Sequence, residues 1–221
     1  MKKVLYFASF LLCMGFMASC EKDDIEKTST VSMAGQWYCT IDAVDDNGDP
    51  IPDGENYFGL ENPRTLILTY NTSANSATEM WIDNLGVGNF AERYAKYWKN
   101  YGFFPSYTIK SKVNIDTKTL TFSCEESENL GDGYIWYEED EEGNVVLDDQ
   151  DNPVVMHEEK AMAVTITEGK ILKGAGRQNN GSPADSIIFY VSYKDDPWYP
   201  DDGYAKYKVS GIRYSGLVEN D

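Results

Sequence analysis

The sequence predicts an all-β domain, an antiparallel barrel or sandwich of eight to nine short strands with one short helix. Three observations carry this expectation. Apolar and polar residues alternate through most of the chain beyond residue 34, as in strands with one buried face. Turn residues recur between these runs at hairpin spacing, which joins neighbours antiparallel. One run, Ser186 to Tyr193, is apolar on both faces and belongs in the middle of a sheet.

The elements follow in order. Gln36 to Ala43 places Trp37, Cys39, Ile41 and Ala43 on one face. Thr65 to Tyr70 does the same with Leu66, Leu68 and Tyr70, and Thr78 to Ile82 is a shorter strand. Phe90, Tyr94, Tyr97, Trp98 and Tyr101 recur at helical spacing between Asn89 and Gly102. That helix lies either across a barrel mouth or against the barrel's outside. Ile109 to Ile115 and Thr119 to Cys124 alternate cleanly, with Leu120, Phe122 and Cys124 together, and Asp116-Thr117-Lys118 forms a tight hairpin between them. Glu138 to Glu159 contains ten acids and several turn residues, an acidic hairpin or loop whose low hydrophobicity argues for mobility. Ala163 to Thr167 is expected to turn at Glu168-Gly169 into Lys170 to Gly174. Asn180-Gly181 is a two-residue hairpin signal of type I′, whose central residues both need positive φ. Ser186 to Tyr193 and Tyr204 to Ile212 complete the set.

The N-terminus speaks of location. Lys2 and Lys3 precede an apolar run from Val4 to Met17, and Met17-Ala18-Ser19-Cys20 follows. A basic start, a short apolar core and small residues at a cleavage site make an export signal. The run is shorter than the roughly 20 residues a lasting span needs. Met17-Ala18-Ser19-Cys20 resembles a bacterial lipobox, which implies removal of residues 1–19 and acylation of Cys20. Each buried CH₂ of the added lipid contributes about 0.8 kcal/mol of anchoring. Glu21-Lys22-Asp23-Asp24 resembles the surface-export signal of Bacteroidetes lipoproteins. The expected organisation is therefore a signal peptide over 1–19, a lipidated flexible tether over 20–33, a domain over 34–217 and a tail over 218–221. The expected location is the outer membrane, lipid-anchored and facing outward.

Composition excludes several classes. The chain holds 37 acidic residues against 19 basic ones, a net charge of −18, which repels nucleic acid and anionic membrane surfaces. Contact with the membrane is expected through the lipid anchor only. Hydrolytic nucleophile arrangements are not evident. No G-x-S-x-G elbow occurs, and the single histidine, His157, stands beside Glu158 and Glu159 in the acidic stretch. One histidine and two distant cysteines do not make a zinc site. Asp148, Gln150, Asn152 and Glu159 have calcium-loop spacing, but Pro153 occupies the position where such a loop needs glycine. Asp45 to Asp49 is followed by Pro50 and reads as a solvated turn. Gly174-Ala175-Gly176 lacks the following helix that a phosphate cradle requires. No metal and no cofactor is expected. Tyr134, Trp136, Tyr137, Trp198 and Tyr199 stand near loops, either as rim packing or as stacking surfaces for a partner.

Gly35-Gln36-Trp37 is similar to the G-x-W signature of lipocalins. The resemblance implies that Trp37 plugs a closed barrel end, with Arg213 from the last strand packed across it. Met80-Trp81-Ile82-Asp83, Lys112 to Asp116, Leu120-Thr121-Phe122, Gly169-Lys170-Ile171, Asp185-Ser186-Ile187 and Ser210 to Arg213 resemble, in order, blocks of a Bacteroidetes lipoprotein family. That family is described as lipocalin-like and lipid-binding, and is labelled a putative hydrolase. This chain departs from it at Ile212, where the family has a histidine, and its 89–107 segment is longer. Asp185-Ser186-Ile187 also resembles a short O-glycosylation motif of exported Bacteroidetes proteins.

Together these readings give a lipocalin-like antiparallel β-barrel. Its inward, ligand-contacting set is expected to be Trp37, Ile41, Leu66, Leu68, Val113, Phe122, Ile166, Phe189 and Val191. A barrel of this size is either filled by side chains or holds one small ligand. The expected function is binding of a small apolar ligand, a fatty acid or other lipid, in the interior. The alternative is a filled, non-catalytic module whose loops bind a protein or glycan partner in an outer-membrane complex. Cys39 and Cys124 lie on strands well apart, too far for the 5.5–6 Å Cα approach of a disulfide across an open barrel, so two buried thiols are expected.

Overall fold

The computed structural model describes residues 27–90, 105–201 and 203–216. Ten strands run through them: β1 (Gly35–Val44), β2 (Thr65–Asn71), β3 (Glu79–Asp83), β4 (Lys110–Asp116), β5 (Thr121–Ser127), β6 (Tyr134–Tyr137), β7 (Val155–Glu159), β8 (Val164–Arg177), β9 (Pro183–Tyr193) and β10 (Lys206–Arg213). Eight close into an antiparallel barrel in the order β1-β2-β3-β4-β5-β8-β9-β10, with β10 returning to β1. Every step joins sequence neighbours except β5 to β8, where β6 and β7 form a separate two-stranded sheet carrying the acidic stretch. Closure leaves no barrel edge exposed to another chain. The helix expected between Asn89 and Gly102 lies outside the described residues apart from its first positions, as do the signal segment, Cys20 and the 218–221 tail.

Register explains which residues face inward. Trp37 pairs with Ile67 on one side and Arg213 on the other, and Gly35 pairs with Thr69. Directly paired residues share a face, so Ile67 and Thr69 join Trp37 inside, both nearly inaccessible. Leu66 and Leu68 therefore face outward and are only half-buried, which corrects their expected place in the interior. Thr65-Leu66-Ile67-Leu68-Thr69 is apolar on both faces, and one residue of register inverts the whole strand. The deciding contact is long-range: the Trp37 indole donates to Thr69 Oγ1 at 2.8 Å, and that hydroxyl donates to Met33 O at 2.8 Å.

Three turns differ from expectation. Glu168-Gly169 is not a turn but a bulge in one 14-residue strand, because Thr167 pairs with Tyr190 and Lys170 with Ile188, setting two residues opposite Phe189 alone. Glu168 takes a φ of 54°, and a side chain at Gly169 would lie 2.3 Å from the Phe122 ring. The Asn180-Gly181 hairpin is longer than a two-residue turn. Gln178 N donates to Ser182 O and Gly181 N to Gln178 O, with positive φ at Gly181 and not at Asn180. This is a three-residue loop with a glycine bulge. Leu120 lies in the β4–β5 loop at a φ of 57°, so β5 begins at Thr121.

The far end of the expected tether is packed rather than free. Thr30 and Met33 are fully buried, Ser29 N donates to Asn75 Oδ1, and Lys173 Nζ donates to Ser32 O.

Candidate functional site

The barrel has two different ends. Connections 72–78, 117–120 and 178–182 are short and lie at the end where β1 starts and β10 stops. The chain leaves β1, β3, β5 and β9 for its longer connections, 45–64, 84–109, 128–163 and 194–205, at the other end.

The short-loop end is sealed. The Arg213 guanidinium stands 4.3 Å from the centroid of the buried Trp37 indole. Arg213 also donates to Ala34 O at 2.9 Å and pairs with Asp185 at 3.4 Å. Gly35 permits this approach, since a Cβ there would collide with the guanidinium. Burial alone would raise the Asp185 carboxyl, but its bonds to Lys173 and Gly174 and the charges of Lys173 and Arg213 outweigh that and hold it below the ordinary range.

The waist is filled. Trp37, Ile41, Val113, Phe122, Ile166, Phe189 and Val191 all face inward, none more than 3% exposed. Met80, Ile82, Ile67 and Val209 complete the packing, and Phe122 meets Phe189 edge-on at 5.7 Å. A ligand cavity of several hundred Å³ would leave these side chains facing empty space rather than one another. The structure thus brings seven of the nine expected residues together as a core. Cys39 and Cys124 project from β1 and β5, four strands apart in either direction around the barrel, and both are free and buried. Burial pushes both thiols up, opposite to the shift an activated nucleophile shows.

Among the described residues, eight aromatic rings with neighbouring centroids 5.0 to 6.4 Å apart plug the long-loop end. Tyr57 and Phe58 come from one loop, Phe90 and Tyr107 from the second, Trp198 and Tyr204 from the third, and Tyr193 and Tyr207 from strand ends. Polar tips are satisfied within the cluster. Tyr107 donates to both Asp196 oxygens at 2.8 and 2.9 Å, Tyr193 donates to Tyr107 O at 2.7 Å, and Tyr204 N donates to the Tyr207 hydroxyl. Burial first, then the neighbouring Tyr207 and Asp196, keep the Tyr107 phenol protonated well above its ordinary range. Of this cluster the sequence pointed to Phe90 and Trp198. Tyr57, Phe58, Tyr107 and Tyr204 lack periodic neighbours, and only chain closure reveals them.

The acidic stretch does not assemble a metal site. Asp148 Oδ1 accepts from Gln150 N and Asn152 N at 2.8 and 2.9 Å, and Asp140 and Asp45 cap their own turns in the same way. Those backbone donors hold all three carboxyls below their ordinary range. Glu159 is instead buried beside His157, 3.2 Å from its Nε2; burial pushes this carboxyl up while the imidazole draws it down. Among the described residues no group of three or more His, Cys, Asp or Glu side chains could hold a metal ion.

An up-and-down eight-stranded barrel, sealed at one end by a tryptophan–arginine pair and capped at the other by long loops, is a lipocalin-like protein. The chain belongs to the lipid-binding putative hydrolase family, whose model matches residues 22–218. Comparison with curated proteins finds no match.

Proposed function

We propose that this protein is a surface-anchored lipoprotein that binds a small apolar ligand, a lipid, at the long-loop end of its barrel. The observation that carries the reading is the aromatic plug. Its rings are held largely by loops, which open at far lower free energy than a strand-bounded core. Family membership supports a lipid ligand, and the packed waist moves the site from the interior to the mouth. The apolar body would lie between Tyr57, Phe58, Phe90 and Trp198, gaining by desolvation. Asp196, already accepting from Tyr107, favours a head that donates a hydrogen bond and disfavours an anionic one. Anchoring through Cys20 at the outer membrane is part of the same proposal. Incorporation of labelled palmitate that Cys20→Ser abolishes, with proteolysis of the domain on intact cells, would support it; palmitate retained in the variant would refute it. For ligand binding, native mass spectrometry against neutral-lipid and carbohydrate panels is the test. One-to-one lipid adducts lost in Phe58→Asp support the mouth; adducts indifferent to it refute it.

A second reading, an interaction module, rests on a separate observation. Leu130, Ile135, Tyr137, Val145, Leu147, Val155 and Met156, all on or beside the β6–β7 arm, are exposed large apolar residues. An apolar patch of this kind on a charged arm is typical of a surface that meets a protein or glycan. Carbohydrate adducts abolished by Leu147→Asp would favour it over the lipid reading.

A further inference from the structure

We propose that the outer face of β8, β9, β10 and β1 carries a second site, for a small amphipathic anion: an apolar tail with a carboxylate or phosphate head. The face is built from two cross-strand rows. Tyr38, Ile212, Ser186 and Leu172 are paired in sequence across the four strands, and Thr40, Ser210, Ile188 and Lys170 form the adjacent row. All of these but Lys170 line a concavity of about 390 Å³, together with Arg64 and Arg177. Ile188, Ile212 and Leu172 supply its apolar part beside the hydroxyls of Thr40, Ser186 and Ser210, and Leu172 remains 41% exposed. Gly176, just past the second irregularity of β8, keeps the floor open. A Cβ there would lie 2.5 Å from Ile212 Cγ2 and 2.8 Å from Ser186 Oγ.

Charge names the ligand class. No acidic residue lines the concavity, in a chain with 37 acids. Arg64 lies 5.7 Å from the Tyr38 ring, and Arg177 reaches only Gly181 O at 3.4 Å. Neither guanidinium has a carboxylate partner among the described residues, and neither do Lys170 and Lys208 on the same outer face. Two acids adjoining the face are engaged: Asp42 accepts from Thr40 and from Asn56 N, and Asp185 is held by Lys173 and Arg213. Four cations without a carboxylate partner among the described residues, in a chain whose acids outnumber its bases nearly two to one, form a local positive field over a partly apolar floor. A guanidinium at either border suits a planar carboxylate or a phosphate, and the hydroxyls of Ser186, Ser210 and Thr40 supply further donors. The site is independent of the mouth, whose Asp196 repels such a head.

The test is calorimetric titration of the purified full chain with dodecanoate, dodecanol and inorganic phosphate. Dodecanoate is expected to bind one-to-one, with affinity falling as salt rises. Arg64→Gln combined with Arg177→Gln, both at exposed positions, should weaken it at least tenfold, and Leu172→Glu should do so without touching either arginine. Trp198→Ala at the mouth should leave it unchanged. Dodecanoate affinity unaltered by the double variant, lost instead in Trp198→Ala, or matched by dodecanol would overturn the proposal. Phosphate binding as tightly as dodecanoate would overturn the amphipathic part and leave a simple anion site.

Discussion

Replacing Phe189 by Ala tests whether the barrel is a container or a filled core. Phe189 is fully inaccessible, stands on the strand between β8 and β10, and meets Phe122 edge-on at 5.7 Å. Removing a buried ring from such packing costs about 3–5 kcal/mol, of which the edge-to-face pairing accounts for roughly 0.5–1.5. The strands around it are hydrogen-bonded on both sides and cannot collapse inward, which places the cost toward the upper end. The cavity left behind is walled by Phe122, Ile166, Val191 and Val209 and should stay dry, as engineered apolar cavities do. Urea denaturation should show the loss of stability. Saturable benzene stabilisation should appear in the variant and not in the natural protein. If the natural protein already takes up benzene in its waist, or the variant loses less than about 1 kcal/mol, the waist is a preformed cavity and the mouth-centred reading fails.

Four further outcomes follow from the geometry. Ile67→Ala should cost about 2–5 kcal/mol, while Leu66→Ala and Leu68→Ala, half-buried on the outer face, should each cost near 1 or less by denaturant midpoint; equal costs would refute the register of β2. Arg213→Met should destabilise by about 2–3 kcal/mol and red-shift the Trp37 emission, since one guanidinium serves the indole, Ala34 O and Asp185; Arg213→Lys should recover only part. The depressed Asp185 carboxyl stabilises above its unfolded-state pKa and loses that contribution as pH falls through its folded value. Wild type should therefore exceed Asp185→Asn at neutral pH by about 0.5–1 kcal/mol and converge with it in acid. Cys39 and Cys124, with thiols raised by burial, should resist maleimide labelling in the native protein at mildly alkaline pH and react fully in denaturant. Rapid native labelling of either would contradict the packed waist.

The strands were largely legible in the sequence because the barrel's burial pattern has the same period as the residues that create it. Ile41, Val113, Phe122 and Ile166 stand between polar neighbours, and they face inward with Trp37, Phe189 and Val191. Gly35, Trp37 and Arg213 were legible as a seal through their resemblance to a known signature. What failed were the places where local pattern is ambiguous. Leu66 and Leu68 compete with Ile67 for the same core, and only the Trp37–Thr69 bond across the chain settles which face wins. Glu168-Gly169 has the composition of a turn, yet Phe122 on a neighbouring strand needs the space that glycine leaves.

The sequence by itself determined the all-β class, the approximate positions of the barrel strands and the excess of negative charge, since these depend on period and composition. Tertiary structure alone decided three things. It filled the waist, because packing volume is a sum over eight strands that no single segment carries. It gathered the aromatic plug from three loops far apart in the chain. It also left Arg64 and Arg177 without acid partners among the described residues, beside a partly apolar floor, because pairing is set by which strands close the barrel and not by how many acids the chain contains.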